Sequence, residues 1–275
     1  SSIQDTGALT QFQLDESLAE YIDLYDEELG RSLFEQEYFC SFEAAIIGSF
    51  YGSHLTRARK EGRILPIEWD ESLPVMTVWD IGYSDDTVIL FVQVLAGEVR
   101  IIDTYDANGR DLEHYADVIN DKPWADNYGK HWLPHDAQAK TLAAAGRSVY
   151  EQFTKDHGLE NVSILKNTNT EQQGIIAARQ LFPKLWIDEN QEKFLDALTN
   201  FRREWDDHKK CFREKPVHDW TNHYADALRY LSWVWKEPVE KIEDKPRKIL
   251  NAGGKSTVTF NDLLNSAKQS SAIYD

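Results

Sequence analysis

Between Val75 and Tyr105 the apolar positions change rhythm. Val75, Met76, Val78 and Trp79 form a short run that stops on Asp80, and residues 87–94 and 99–105 follow as two further runs rich in β-branched and aromatic side chains. These runs predict three strands. The Ala96-Gly97 turn between the second and third predicts a hairpin, so the three are expected to form an antiparallel meander.

Upstream, Leu14, Leu18, Tyr21, Ile22 and Tyr25 recur at helical spacing, and residues 34–50, with Ala44, Ala45, Ile46 and Ile47, read as a further helix. Residues 62–74, holding Pro66, Pro74 and several acids, read as a connector. Downstream, a helix is expected over 111–119, with Asp111 as its cap and Leu112, Tyr115, Ala116 and Ile119 as its buried stripe. A fourth strand fits 131–135. Helices then fit 148–156, 170–181, 191–203 and 222–235, with short strands at 162–165 and 185–187. The order predicts an α/β fold with a mixed sheet, its first three strands antiparallel and helices flanking it. The charged, Pro- and Gly-punctuated segment after Trp235 predicts a flexible tail. The expected division is 1–70 as a helical segment and linker, 71–236 as the α/β domain and 237–275 as the tail.

Composition narrows the class. The chain has 275 residues, of which 41% are hydrophobic and 12% aromatic, which suits a globular protein with a full core. No apolar stretch approaches the roughly 20 residues that span a bilayer, and the first ten residues lack a signal pattern, so a soluble intracellular protein without membrane partners is expected. The Ser-Ser start suggests a processed or truncated chain with sequence missing upstream. Cys40 and Cys211 lie far apart and match no zinc spacing, so both read as ordinary thiols. The formal net charge of -17 argues against tight autonomous binding to nucleic acid, although a local basic face can coexist with it. It does not exclude metal-dependent hydrolysis, whose site is itself acidic.

Three acids stand in suggestive places. Asp80 ends an apolar strand, where it reads either as a turn cap or as a metal ligand held in a cleft. Asp86 adjoins the start of the next strand, while Asp85 reads as a solvated turn residue. Asp136 follows Pro134-His135 at the end of the expected fourth strand, and it meets Asp80 only if that strand lies beside the first and parallel to it. Asp226 sits among Ala225, Ala227, Leu228, Leu231 and Val234 on the last helix, with His223 one turn earlier; both read as a solvated face or, turned inward, as part of a site. Asp219 reads as a helix-start residue. Three carboxylates from two strands and a helix suit Mg²⁺ or Mn²⁺, and two ions about 4 Å apart would serve phosphodiester hydrolysis.

Other patterns fail. Gly253-Gly254-Lys255-Ser256 resembles the end of a phosphate-binding loop, but Ile249 stands where that motif requires Gly, so no ATP site is read here. No GxSxG nucleophile elbow is present. Residues 205–215, with Lys209, Lys210 and Arg213 beside aromatics, read as a solvated charged loop or a DNA-contacting one.

The order Asp80-Ile81-Gly82 with Asp86, then His135-Asp136, then HDWTNHYADALRY carrying Asp226, resembles the C-terminal nuclease domain of the large terminase subunits of tailed bacteriophages. FEQEYFCSFEAAIIGSFY followed by LTRARKEGRI resembles the segment that joins the ATPase domain of those subunits to the nuclease, so the likeness covers residues 34–235. It implies a ribonuclease H-like fold and a divalent-metal endonuclease that cuts concatemeric double-stranded viral DNA during genome packaging into procapsids. Carried over residue by residue, it makes Asp80, Asp136 and Asp226 the catalytic, metal-binding acids and Asp86 and His223 supporting positions, with Mg²⁺ or Mn²⁺, two ions, as cofactor. It further implies double-stranded DNA, the portal protein and the small terminase subunit as partners, and action in the host cytoplasm at the procapsid portal. Residues 1–70 would then come from the end of the ATPase domain. A junction resolvase or integrase-like nuclease on the same fold, and a noncatalytic assembly module of the packaging motor, are the competing readings.

Overall fold

In the computed structural model, residues 11–25, 30, 34, 48–82, 85–140, 146–166, 170–206, 209 and 211–236 are described. The strands are β1 (Ile64–Leu65), β2 (Val75–Asp80), β3 (Asp86–Leu95), β4 (Glu98–Asn108), β5 (Tyr128–Leu133), β6 (Val162–Ile164), β7 (Leu185–Asp188), β8 (Arg203–Asp206) and β9 (Cys211–Pro216). The α-helices are α1 (Gln11–Tyr25), α2 (Gly52–Lys60), α3 (Leu112–Asn120), α4 (Val149–Lys155), α5 (Glu171–Leu181), α6 (Glu192–Asn200) and α7 (Thr221–Val234).

Seven strands make one mixed sheet in the order β1-β7-β4-β3-β2-β5-β6. β2, β3 and β4 pair antiparallel, as the Ala96-Gly97 turn predicts, with Ala96 and Gly97 both at positive φ. β5 then joins β2 in parallel and β6 joins β5 in parallel. This run of three antiparallel strands followed by two parallel ones on the side of the first is the ribonuclease H-like arrangement. β2 and β5 therefore leave the sheet at the same edge, which is where α/β sites gather.

Alternation along the strands sorts side chains between two cores. Met76 and Val78 of β2, with Val88, Leu90 and Val92 of β3, face a cluster completed by Leu181, Leu198, Tyr224, Ala225 and Leu228 of the helices α5, α6 and α7. Val75 and Trp79, with Ile89 and Phe91, face the opposite cluster with Tyr115, Ile119, Phe153 and Trp124. Burying both faces explains why these strands read as nearly continuous apolar runs.

The helix after Asp111 begins at its expected cap, and two further helices begin beside the residues expected to open them. The Asp111 side chain accepts a hydrogen bond from His114 N at 3.0 Å, and Ser148 and Thr170 each close a capping box, with Glu151 and Gln173.

Four expectations are corrected. Within the supposed connector, β1 adds a parallel edge strand beside β7, fastened by buried Arg63, whose Nη1 donates to Phe182 O at 2.6 Å and Leu185 O at 2.8 Å. The fourth strand runs from Tyr128 to Leu133, and His135 and Asp136 lie on a 3₁₀ turn beyond it. The supposed charged loop at 205–215 is mostly an antiparallel pair, β8 with β9, and the helix expected to reach residue 203 stops at Asn200. Phe50, Tyr51 and Leu55 pack in the same core as Leu90, so the main core draws on residues before the boundary expected at 71. Most of the helix expected over 34–50, and the tail from 237, lie outside the described residues. Among the described residues, no helix is long and apolar enough to cross a membrane.

Candidate metal centre

The period of two along β2 aims its terminal acid. Asp80 follows Met76 and Val78 onto the face covered by α7, where a charge without a partner is costly. Its partner is His223 of α7, whose Nδ1–H donates to Asp80 Oδ2 at 2.9 Å; the two side chains are only 18% and 13% exposed. Burial is the main influence on this carboxyl and raises its pKa, His223 and Arg229 oppose that shift, and the charge of Asp136 adds to it.

The 3.6-residue period of α7 supplies the next acid. His223 and Asp226 lie one turn apart along the edge of a helix whose buried side carries Tyr224, Ala225, Ala227 and Leu228. Both side chains turn inward. Burial pushes Asp226 up to about 7, Asp80 and Glu171 push in the same direction, and Arg229 and His223 push back. His223 is itself raised, first by its bond to Asp80 and also by the charges of Asp80, Asp86 and Asp226, while burial opposes the rise.

Asp136 reaches the same sheet edge from β5. It is exposed on its 3₁₀ turn, whereas Asp80 and Asp226 are half-buried. Tyr230, one turn beyond Asp226 on α7, connects the group: its hydroxyl is held well above the usual range by burial, then by the charges of Asp80, Asp226 and Asp136 together. Asp86, the first residue of β3, accepts a hydrogen bond from Asn108 Nδ2 at 3.1 Å and sits at the margin of the site. Asp85 and His135 are exposed. Asp219 serves the start of α7, its Oδ1 accepting from Thr221 N at 3.0 Å and Thr221 Oγ1 at 2.6 Å. Arg213 is spent on Glu204 and Asp206 within the β8–β9 pair, and Cys211 is an exposed free thiol.

Arg229 and Glu171 belong to the site and were not singled out by sequence reasoning. Arg229 Nη2 lies 2.5 Å from Asp226 Oδ1, and its Nη1 lies 3.8 Å from Glu171 Oε1. The i,i+3 spacing of Asp226 and Arg229 was a readable signal. Glu171 comes from another helix and left none.

The chemistry of the donor set suits a hard divalent ion: clustered carboxylates, two of them half-buried and held at raised pKa, with Asp226 Oδ1 lacking a hydrogen-bond partner despite the nearby guanidinium. Among the described residues, no three His, Cys, Asp or Glu side chains are closed around one point. The two half-buried acids are turned instead to His223 and Arg229.

Fold and site together define a ribonuclease H-like α/β protein with a carboxylate cluster at the shared end of β2 and β5, covered by α7. Among curated proteins the chain is similar to the large terminase subunit of Escherichia phage T5, at 24% identity over 209 residues, which are 74% of this chain and 45% of that protein. It thus spans less than half the length of the curated relative it matches. Solved structures that it resembles include the large terminase of a thermophilic bacteriophage in complex with ADP, at 16% identity and TM-score 0.49 over 85% of this chain and 54% of that one. Another is the large terminase nuclease domain of bacteriophage SPP1 with bound Mn, at 16% identity and TM-score 0.43 over 57% of this chain and 84% of that one. No family model matches. The resemblance to large terminase subunits read from the sequence is borne out by the likeness to the phage T5 protein.

Proposed function

We propose that this chain is the nuclease part of a phage large terminase subunit, a divalent-metal-dependent endonuclease that cuts concatemeric double-stranded viral DNA during packaging. The observation that carries this reading is the approach of Asp80, Asp136 and Asp226 to one sheet edge under α7, Asp80 and Asp226 half-buried and held at raised pKa. The likeness to the phage T5 large terminase supports it.

Asp80, Asp136 and Asp226 would hold Mg²⁺ or Mn²⁺, in the two-ion manner suited to phosphodiesters. Bound there, the ions would activate the attacking water and stabilise the leaving oxygen. The chain's own residues prepare the site. His223 fixes the direction of the Asp80 carboxylate through its Nδ1–H, leaving the second oxygen of Asp80 for other partners. Asp86 adds negative charge at the margin of the site, and Asp136, exposed, would be the acid most open to a DNA phosphate. A strand end rigidly paired in the middle of the sheet keeps Asp80 in place while the substrate changes.

The proposed setting is the host cytoplasm at the procapsid portal, with double-stranded DNA, the portal protein and the small terminase subunit as partners. Residues 1–70 would carry the end of the ATPase domain and a linker whose Phe50, Tyr51, Leu55 and β1 pack into the nuclease of 71–236, and 237–275 would be a C-terminal tail. Delivery of DNA by a motor would reconcile nuclease action with a net charge of -17.

The test is cleavage of linear and plasmid duplex in Mn²⁺, in Mg²⁺ and in EDTA, by the wild-type chain and by Asp80→Asn. Cleavage that requires the ion and is lost in Asp80→Asn, with the fold retained, is expected. Full activity in that variant would remove Asp80 from the site. Selective cutting of branched DNA, or strand transfer, would point to a resolvase or integrase instead, and portal binding without cleavage to an assembly module.

A further inference from the structure

Arg229 is buried beside the acid cluster, and the chemistry above gives it no role. Its side chain is 8% exposed. Burying a guanidinium this deeply is costly unless its charge is matched, and packing alone would be served better by an apolar side chain of similar size. The charge is matched by Asp226 at 2.5 Å and, more loosely, by Glu171 at 3.8 Å, whose side chain is 39% exposed in the first turn of α5. Arg229 Nε has no hydrogen-bond partner, and neither does Asp226 Oδ1, so the contact is close without being a well-aligned fork.

The slot for this side chain is built by a second residue. Gly174 lies inside α5, where glycine disfavours the helix relative to alanine. A Cβ at 174 would stand 3.0 Å from Arg229 Cδ and 3.3 Å from Arg229 Cβ. The guanidinium thus reaches Asp226 through space that a side chain at 174 would crowd. Asp226, Asp80 and Asp136 meanwhile bring charges of one sign to one edge, where burial makes their repulsion stronger.

We propose that Arg229 is the resident counter-cation of the acidic site, compensating and positioning Asp226 in the metal-free protein and yielding its carboxylate when a divalent ion binds. This rests on the metal-site reading above. It goes beyond that reading because it makes ion binding an exchange of one cation for another at Asp226 Oδ1. Arg229 is a positioning residue: it touches neither substrate nor ion. The exchange has a linkage consequence, since removing Arg229 must cost the metal-free protein more than the loaded one and must tighten ion binding. An arginine that merely pins α7 to α5 would cost both forms equally.

The experiment uses the whole chain. Wild type, Arg229→Gln and Arg229→Lys are melted in EDTA and in saturating Mn²⁺, and Mn²⁺ affinity is measured by calorimetry at fixed pH. Arg229→Gln is expected to lose more thermal stability in EDTA than in Mn²⁺ and to bind Mn²⁺ about tenfold more tightly, because a positive charge has left the site. Arg229→Lys keeps a cation in the slot and folds more readily, so it carries the test if Arg229→Gln does not fold; its loss is expected to be smaller but again larger in EDTA. Equal losses with and without Mn²⁺, or unchanged or weaker Mn²⁺ affinity in Arg229→Gln, overturn the counter-cation role while the metal site stands. Absence of Mn²⁺ binding in wild type overturns the metal-site reading itself, and this inference with it.

Discussion

His223 Nδ1 stands 2.9 Å from Asp80 Oδ2, so the last described helix closes onto a strand-end carboxylate 143 residues earlier in the chain. Around this pair lie Asp86, Asp226 and Asp136, with Arg229 as the opposing charge. Asp80, Asp226 and His223 all hold protons more tightly in the folded protein than outside it.

That common direction predicts how the metal-free protein responds to pH. Asp226 moves from 3.8 to about 7, so its favourable contribution is complete below 3.8 and is lost as pH rises through about 7. Asp80 and His223, both shifted upward, act with the same sign. Urea melts in EDTA at a series of pH values should show a shallower loss across this window in Asp226→Asn than in wild type. Identical profiles would remove Asp226 as their source.

The opposite sign is expected behind the site. His131 is buried and held at about 3, so its contribution is present above its ordinary 6.5 and is lost as pH falls through about 3. Trp79 Nε1 donates to Thr77 Oγ1 at 2.7 Å, which leaves the Thr77 hydroxyl to donate to His131 Nδ1 at 2.8 Å. Thr77→Val keeps the shape but strands two buried groups, and should cost about 2–4 kcal/mol by urea unfolding. A loss under about 0.5 kcal/mol would mean that the hydroxyl does not bridge them.

Exposure separates Asp136 from the half-buried acids. Asp136→Asn should leave the melting temperature nearly unchanged while lowering Mn²⁺-dependent cleavage by more than about a hundredfold, beyond what loss of a group behind the ligands usually causes. Asp86→Asn should fall in the range of about tenfold to a hundredfold. Paired melts and cleavage rates decide both, and near-normal cleavage by Asp136→Asn would leave the site without its third acid.

Gly82 carries a local prediction. A Cβ there would stand 2.7 Å from the carbonyl oxygens of both Asp85 and Asp86, and backbone atoms cannot swing aside as a side chain can. Gly82→Ala should therefore displace the turn between Asp80 and β3, lower stability by about 1–3 kcal/mol and reduce cleavage. A variant that melts and cleaves like wild type would show that the turn absorbs the methyl group.

Much of the sheet was legible because its signals are local. Apolar runs, the Ala96-Gly97 turn and the caps at Asp111, Ser148 and Thr170 each act within a few residues. β1 escaped because a two-residue strand has no readable period, and its place depends on Arg63 and the edge of β7. β8 and β9 escaped because their charged, exposed pattern matches that of a loop. The identities of Asp80, Asp136 and Asp226 as candidates were readable from strand ends and a helix stripe, together with the family likeness.

By itself the sequence determined most of the strands and helices around the site, the antiparallel meander and the acids available for chemistry, since those follow from short-range geometry and residue type. Only the tertiary structure decided that β5 lies parallel to β2, that α7 turns His223 and Asp226 inward, and that Arg229 passes over Gly174 to reach Asp226. Those relations depend on which surfaces pack between segments far apart in the chain, 143 residues apart for Asp80 and His223. Burial, which raises the carboxyls and gives a cation its value there, exists only once that packing is made.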